Sequence, residues 1–165
     1  MLLTYSEFEI YQEATNFLKK KAENEWMYAN YDLSTYVKTN SSKGIKISQK
    51  IQNLVDMTEM RKEYRKVVGK NKINFKVSYD IIDMNVMGNQ AIITLNENIS
   101  YFITNGNGEP SYSSEVYTVY LTRQQDKWNI IDIDIRYDVL FNKIKDNKFN
   151  KTSHLQSRLL KLKTS

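Results

Sequence analysis

Apolar side chains recur every three or four positions through residue 68, and from residue 73 onward they alternate. The first spacing gathers them on one face of a helix, the second on one face of a strand. Phe8, Tyr11, Ala14, Phe17 and Leu18 form the first stripe, and Ser6 followed by Glu9 matches a capping box, which predicts a helix over about 7–23. Lys19, Lys20 and Lys21 then fall near its end, where cations suit the negative pole of the helix dipole and face solvent. Asp32 can cap a short helical turn through Leu33, Tyr36 and Val37, with a polar loop over Thr39–Ser42. A second long helix is predicted over about 45–68. Ile47, Ile51, Leu54 and Val55 make one stripe on it, and Met57, Met60, Tyr64, Val67 and Val68 make another, rotated from the first. The offset predicts a bend near Met57, Gly69 supplies the stop, and Arg61, Lys62, Arg65 and Lys66 read as a solvated face.

Ile73, Phe75, Val77, Tyr79 and Ile81 alternate, and the phase then slips so that Ile82, Met84 and Val86 continue the apolar face. A one-residue slip turns every later side chain over unless an extra residue is accommodated, so a β-bulge is predicted at Ile81–Ile82. Gly88 and Asn89 make a turn, and Ala91, Ile93, Leu95, Ile99, Tyr101 and Ile103 alternate in a second strand. Asn105 to Pro110 form a loop, a Tyr- and Val-rich strand covers about 112–122, and Gln124 to Lys127 turn the chain into a fourth strand over 128–137. There Trp128 and Ile130 share one face while Ile131, Ile133, Ile135 and Tyr137 share the other, which predicts a second bulge. Bulges bend and twist a sheet, and the preceding helices can cover the concave face. The pattern therefore predicts an α+β fold: N-terminal helices packed on a curved four-stranded antiparallel sheet, with a cavity between the layers. Residues 1–144 make one domain, ending in a short helix through Val139, Leu140, Phe141 and Ile144. Residues 145–165 make a basic, mobile tail in which Leu155, Leu159 and Leu162 form a weak stripe.

Composition changes this picture mainly by exclusion. The chain is 41% apolar and 26% charged over 165 residues, which suits one ordinary globular domain. With no cysteine there is no disulfide and no thiol nucleophile, and the one histidine, His154, falls in the tail. That removes Ser-His-Asp chemistry and most zinc arrangements, so neither metal nor cofactor is expected. No apolar run approaches a membrane span. The net charge of +5 comes mostly from lysine and is too modest to indicate a nucleic-acid partner.

The order of helix, short helix, helix and four long strands resembles the cystatin-like α+β group that includes nuclear transport factor 2-like domains. Glu25, Trp26, Tyr31, Asp32 and Leu33, then Arg61, Lys62, Tyr64 and Lys66, then Val77, Tyr79, Asp83, Ala91, Thr94 and Leu95, and finally Trp128, Ile130 and Asp132, resemble the domain that precedes an amidase domain in Gram-positive cell-surface proteins. The resemblance covers about Tyr5 to Tyr137 and leaves no room for the amidase domain itself, so it implies an accessory, binding or spacing role and no amidase activity. It also implies the cell surface or secretion, whereas the chain read as complete, with no export signal, implies the cytoplasm.

Two sets of residues carry the functional expectations. The first is a protein-partner or small-ligand surface made by Trp26, Tyr31, Tyr117, Tyr120 and Trp128, aromatics with polar handles. Tyr112, Tyr117, Thr118 and Tyr120 would form a sheet face for a homodimer. The second is a site of the ketosteroid-isomerase-like kind, an isomerase, cyclase or dehydratase in which Asp132 or Asp134 is the base and Tyr101, with Tyr79, Tyr117 or Tyr120 as alternatives, an oxyanion donor. Glu97 or Glu115 would face those aspartates. The simpler reading of Asp132, Asp134 and Arg136 is a solvent-facing stripe opposite Ile131, Ile133 and Ile135, and the non-catalytic function is the one the sequence favours.

Overall fold

The structure, a computed structural model, describes residues 2–68, 72–103 and 106–136. Three helices, α1 (Tyr5–Met27), α2 (Ser34–Ser42) and α3 (Gln49–Val68), precede four strands, β1 (Lys72–Met87), β2 (Gln90–Ile103), β3 (Ser111–Gln124) and β4 (Lys127–Arg136). The strands form one antiparallel sheet in the order β1-β2-β3-β4. This is an α+β architecture of helices on one face of an open sheet. The short helix, the tail and its leucine stripe predicted beyond Tyr137 lie outside the described residues, as does Gly69.

α1 is longer at both ends than its apolar stripe predicts. The capping box is Thr4 with Glu7, not Ser6 with Glu9: Thr4 Oγ1 accepts from the Glu7 N–H at 3.2 Å and Glu7 Oε1 accepts from the Thr4 N–H at 3.0 Å. Tyr28, at φ 58°, ends the helix by donating its N–H to the Glu23 carbonyl. Lys21 therefore lies in the helix interior and is buried, which corrects its assignment to a solvated end.

The predicted polar loop at Thr39–Ser42 is part of α2, which ends before Gly44 at φ 77°. Asn40 is buried because its Nδ2 donates to the Ile130 carbonyl on the edge strand at 2.8 Å. The Ser48 N–H donates to the adjacent Ile131 carbonyl at 2.9 Å. α2 and the α2–α3 connection thus take up edge groups of β4 that would otherwise be open to another strand. α3 runs unbroken, and its buried face, Ile51, Leu54, Val55, Met57, Thr58, Arg61 and Lys62, is one stripe that turns polar toward its C-terminal end. Arg61 and Lys62 are buried rather than solvated, and Val67 is exposed.

Both predicted bulges are present. Ile81 pairs with Leu95 and Asp83 with Thr94, so Ile82 is the extra residue and is 55% exposed. Leu121 pairs with Ile130 and Tyr120 with Asp132, which makes Ile131 the second. The phase slips let Tyr79, Ile81 and Met84, and likewise Trp128, Ile130 and Ile133, all face the helices. A further register shift between Ile73 and Lys76, with Asn74 at φ 53°, carried no apolar signal in the sequence. The core lies between layers, where Ile10, Ala14, Phe17 and Leu18 of α1 and Ile51 and Leu54 of α3 meet Ile93, Leu95, Val119, Leu121 and Ile133.

Candidate functional site

Toward the far end of the core, the facing surfaces of helices and sheet become charged. On α1, Lys21 and Glu25 continue the stripe of Ile10, Ala14, Phe17 and Leu18 by steps of three or four. On α3, Arg61 and Arg65 continue that of Leu54 and Thr58. On the sheet, Tyr79, Glu97, Glu115 and Tyr117 occupy helix-facing positions, with Tyr79 paired to Glu97 and Glu97 to Glu115. Like charges directly opposite each other on neighbouring strands repel, so Glu97 and Glu115 require cations from the other layer.

Those cations are in place. Lys21 Nζ donates to Tyr117 Oη at 2.6 Å and to Glu97 Oε1 at 3.4 Å, and lies 3.9 Å from Glu25 Oε2. The Tyr79 hydroxyl donates to Glu97 Oε2 at 2.7 Å, and the Tyr117 hydroxyl to Glu115 Oε2 at 2.5 Å. Arg61 reaches both Glu25 oxygens at 3.4 Å and Glu115 Oε1 at 3.7 Å, while Arg65 donates to Glu25 Oε1 at 3.0 Å. Three carboxylates and three cations thus interlock. Lys21, Glu25 and Glu97 are each 1% exposed and Tyr117 is fully buried, so these side chains fill the space between helices and sheet at this end of the core.

Burial and pairing pull the titrating groups in different directions. Burial alone would raise Glu25, but Arg61, Lys21 and Arg65 outweigh it and hold the carboxyl at about 2. Glu97 is raised, because burial exceeds what Lys21 and the Tyr79 hydroxyl return. Burial would lower Lys21, yet Glu97, Glu25 and Glu115 keep it raised. Tyr79 and Tyr117 are both raised, first by burial and then by the neighbouring carboxylates. The Tyr79 and Tyr117 hydroxyls each donate to a carboxylate, and Lys21 donates to the Tyr117 oxygen as well as to Glu97.

The residues proposed from the sequence do not converge on one site. Tyr117 faces the helices and is core, whereas Tyr120 is on the outer face of the sheet, where its hydroxyl donates to Asp134 Oδ2 at 3.0 Å. Tyr117 therefore cannot belong to a dimerisation surface shared with Tyr112, Thr118 and Tyr120. Trp26 is half-buried near the Tyr101 end of β2, 5.0 Å from the Tyr101 ring and 3.7 Å from the Arg65 guanidinium. Tyr31 is exposed beyond α1, its backbone held by Asn24, and Trp128 is buried at the opposite end of the sheet beside the β3–β4 turn.

Asp132 and Asp134 share the outer face, where Asp134 is half-exposed and paired with Lys50 at 2.6 Å. Tyr101 packs on the helix side, as do Glu97 and Glu115. The sheet separates Asp132 and Asp134 from Tyr79, Tyr101 and Tyr117, and Asp134 instead meets Tyr120 on the outer face, where it is half-exposed. Among the described residues, no group of three or more His, Asp and Glu side chains stands where it could hold a metal ion. No helix among them is long and apolar enough to cross a membrane.

No protein-family model matches this chain, and no curated protein matches it. Among solved structures, a protein of unknown function from Mycobacterium tuberculosis is similar at a TM-score of 0.35 and 17% identity, over 66% of this chain and 62% of that one. The chain thus spans less than two thirds of that structure. The intermembrane space region of the chloroplast protein ARC6 is similar at a TM-score of 0.38 and 12% identity, over 74% of this chain and 92% of that one. Likenesses at these scores define neither a fold family nor a function.

Sequence reasoning passed over Lys21, Arg61, Glu97 and Glu115 as a set, although a signal was there. Each is a charged residue at a position where the apolar period requires an inward-facing side chain. Glu97 falls between Leu95 and Ile99, and Glu115 two residues before Tyr117.

Proposed function

We propose that this chain is a non-catalytic binding domain of the nuclear transport factor 2-like kind, and that it engages another protein chain through the outer face of its sheet. The observation that carries this reading is that no described element covers that face. Along β2 the burial alternates, with Ala91, Ile93, Leu95 and Glu97 sealed under the helices and Ile92, Thr94 and Asn96 half-buried on the other side.

The open face is organised. Ser114 Oγ donates to Asn96 Oδ1 at 2.7 Å, Asn96 Nδ2 to Asn98 Oδ1 at 3.0 Å, and Asn98 Nδ2 to Asp80 Oδ2 at 2.8 Å, a side-chain ladder across β3, β2 and β1. Beside it the Thr94 and Thr118 hydroxyls meet at 3.2 Å, and Tyr120 leans on Asp134. Prearranged amides and hydroxyls flanked by tyrosines lose little side-chain entropy on binding. The interior around Lys21 supports the same reading, since charged side chains fill the space between the layers there and the sheet keeps Tyr101 apart from Asp132 and Asp134.

The first partner to test is a second copy of the chain. Sedimentation velocity is expected to show a wild-type dimer at micromolar concentration, and a monomer with unchanged far-UV circular dichroism when Thr118→Lys and Tyr120→Lys are combined. A monomeric wild type, or a double variant that keeps the dimer mass, removes the homodimer.

A further inference from the structure

At the end of the fold opposite Trp26, a groove of about 510 Å³ opens between α1, α2 and the β3–β4 turn. It is separate from the outer sheet face and from the sealed charge network. Its lining carries three carboxylates, Glu9, Glu13 and Asp126, and three lysines, Lys20, Lys43 and Lys127. These formal charges cancel, so the groove as a whole selects neither an anion nor a cation. Between them stand neutral groups that donate and accept, Gln12, Asn16, Thr35 and Thr39.

Trp128 also lines the groove. It is 6% exposed, and its indole Nε1 has no hydrogen-bond partner. A buried donor left without an acceptor costs about 1–3 kcal/mol, so one in a folded interior requires an explanation. The Nε1 atom is itself closed to solvent, so an oxygen entering the groove would meet it only after a turn of the indole ring. Glu13 has a related character: burial raises its pKa against the pull of Lys20, Lys43 and Lys127.

Alternating acceptors and donors around a volume of this size match a ligand whose every polar group both gives and takes a hydrogen bond. A hydroxyl is such a group, whereas a fully ionised phosphate only accepts and would find half of the charged lining, Glu9, Glu13 and Asp126, against it. We propose that this groove binds a neutral polyhydroxylated ligand, a mono- or disaccharide, with Glu13 accepting from its hydroxyls and Lys20, Lys43 and the Trp128 Nε1–H donating to them.

The test uses the full chain with glucose, maltose and trehalose, followed by saturation-transfer NMR and by fluorescence in a Trp26→Phe background, where Trp128 is the remaining tryptophan. At least one of these sugars is expected to bind saturably in the millimolar range and to shift Trp128 emission, with about tenfold weaker binding in Glu13→Gln. Glu13 is on the groove wall, so that variant keeps the fold. Trp128→Phe, which keeps an aromatic ring and removes the donor, is expected to weaken the same sugar. Two results overturn the proposal. One is no saturable binding of any of the three sugars. The other is binding of inorganic phosphate instead, lost in Lys20→Met and strengthened in Glu13→Gln.

Discussion

Lys21 Nζ lies 2.6 Å from Tyr117 Oη, and both side chains are sealed between α1 and the sheet. An ammonium is removed from water at a cost of several kcal/mol, and only well-placed oxygens offset it. Glu97 and Glu25 supply the charge and Tyr117 the neutral acceptor, while the Tyr117 hydroxyl donates its own hydrogen bond to Glu115. A network in which each member satisfies the next fixes the position of α1 over β2 and β3 far more narrowly than apolar contact would. Its role here is to set the relative placement of helices and sheet.

Removing one partner should therefore cost more than removing two. Lys21→Met leaves Glu97 buried without its nearest cation, and the expected loss is about 3–5 kcal/mol in urea unfolding. Adding Glu97→Gln removes the stranded charge and is expected to restore part of that loss, with a coupling energy above about 1 kcal/mol in the double-mutant cycle. Additive losses would mean that the two side chains act independently.

The opposite shifts of Glu25 and Glu97 give stability an unusual dependence on pH. A carboxyl held low in the folded state stabilises above its unfolded value and loses that contribution as pH falls. For Glu25, at about 2 against 4.5, the loss amounts to roughly 3 kcal/mol across that interval. A carboxyl raised in the folded state does the reverse, so acidifying through the folded pKa of Glu97 toward 4.5 adds stability. The urea midpoint is expected to rise from neutral to mildly acidic pH and then to drop steeply between 4.5 and 2. In Glu97→Gln the rise should vanish and the drop remain. On the alkaline side, raised Tyr79 and Tyr117 contribute fully below pH 10 and are lost above it. A midpoint that falls steadily from pH 7 to 2 would contradict the direction assigned to Glu97.

The elements were legible where period and turn chemistry agreed. Alternation with two phase slips located both bulges, and Gly88 located the first hairpin, because a sheet with one buried face tolerates no error of phase. Helix ends were less legible: Thr4–Glu7 and Ser6–Glu9 are overlapping capping boxes, and composition alone does not choose between them. The buried cations were misread for a different reason. Lys21, Arg61 and Lys62 have the residue types of a surface, and their burial depends on partners more than thirty positions away, such as Glu97 for Lys21 and Ala29 for Lys62, whose carbonyl accepts from Lys62 Nζ at 2.7 Å. Phase marks a position as inward-facing, but only the tertiary fold brings the opposite charge to it.

The bulges provide a last prediction, because each is one residue that the ladder does not use. With Ile82 removed, Ile81 still pairs with Leu95, Asp83 with Thr94 and Met84 with Ile93, and every side chain keeps its face. Ile82 is more than half exposed, so little burial is lost with it. Deletion of Ile82 is expected to give a folded protein destabilised by about 2 kcal/mol or less, the change in local twist being the main cost. Deletion of Thr94 from the central strand β2 has no such slack. It turns Leu95, Glu97 and Ile99 to the outer face and strands Lys21 without Glu97, and the chain is expected not to fold. Circular dichroism and dispersion of the amide NMR spectrum distinguish the two outcomes, and an unfolded Ile82 deletion would show that the bulge's bend is itself required to seat α1 on the sheet.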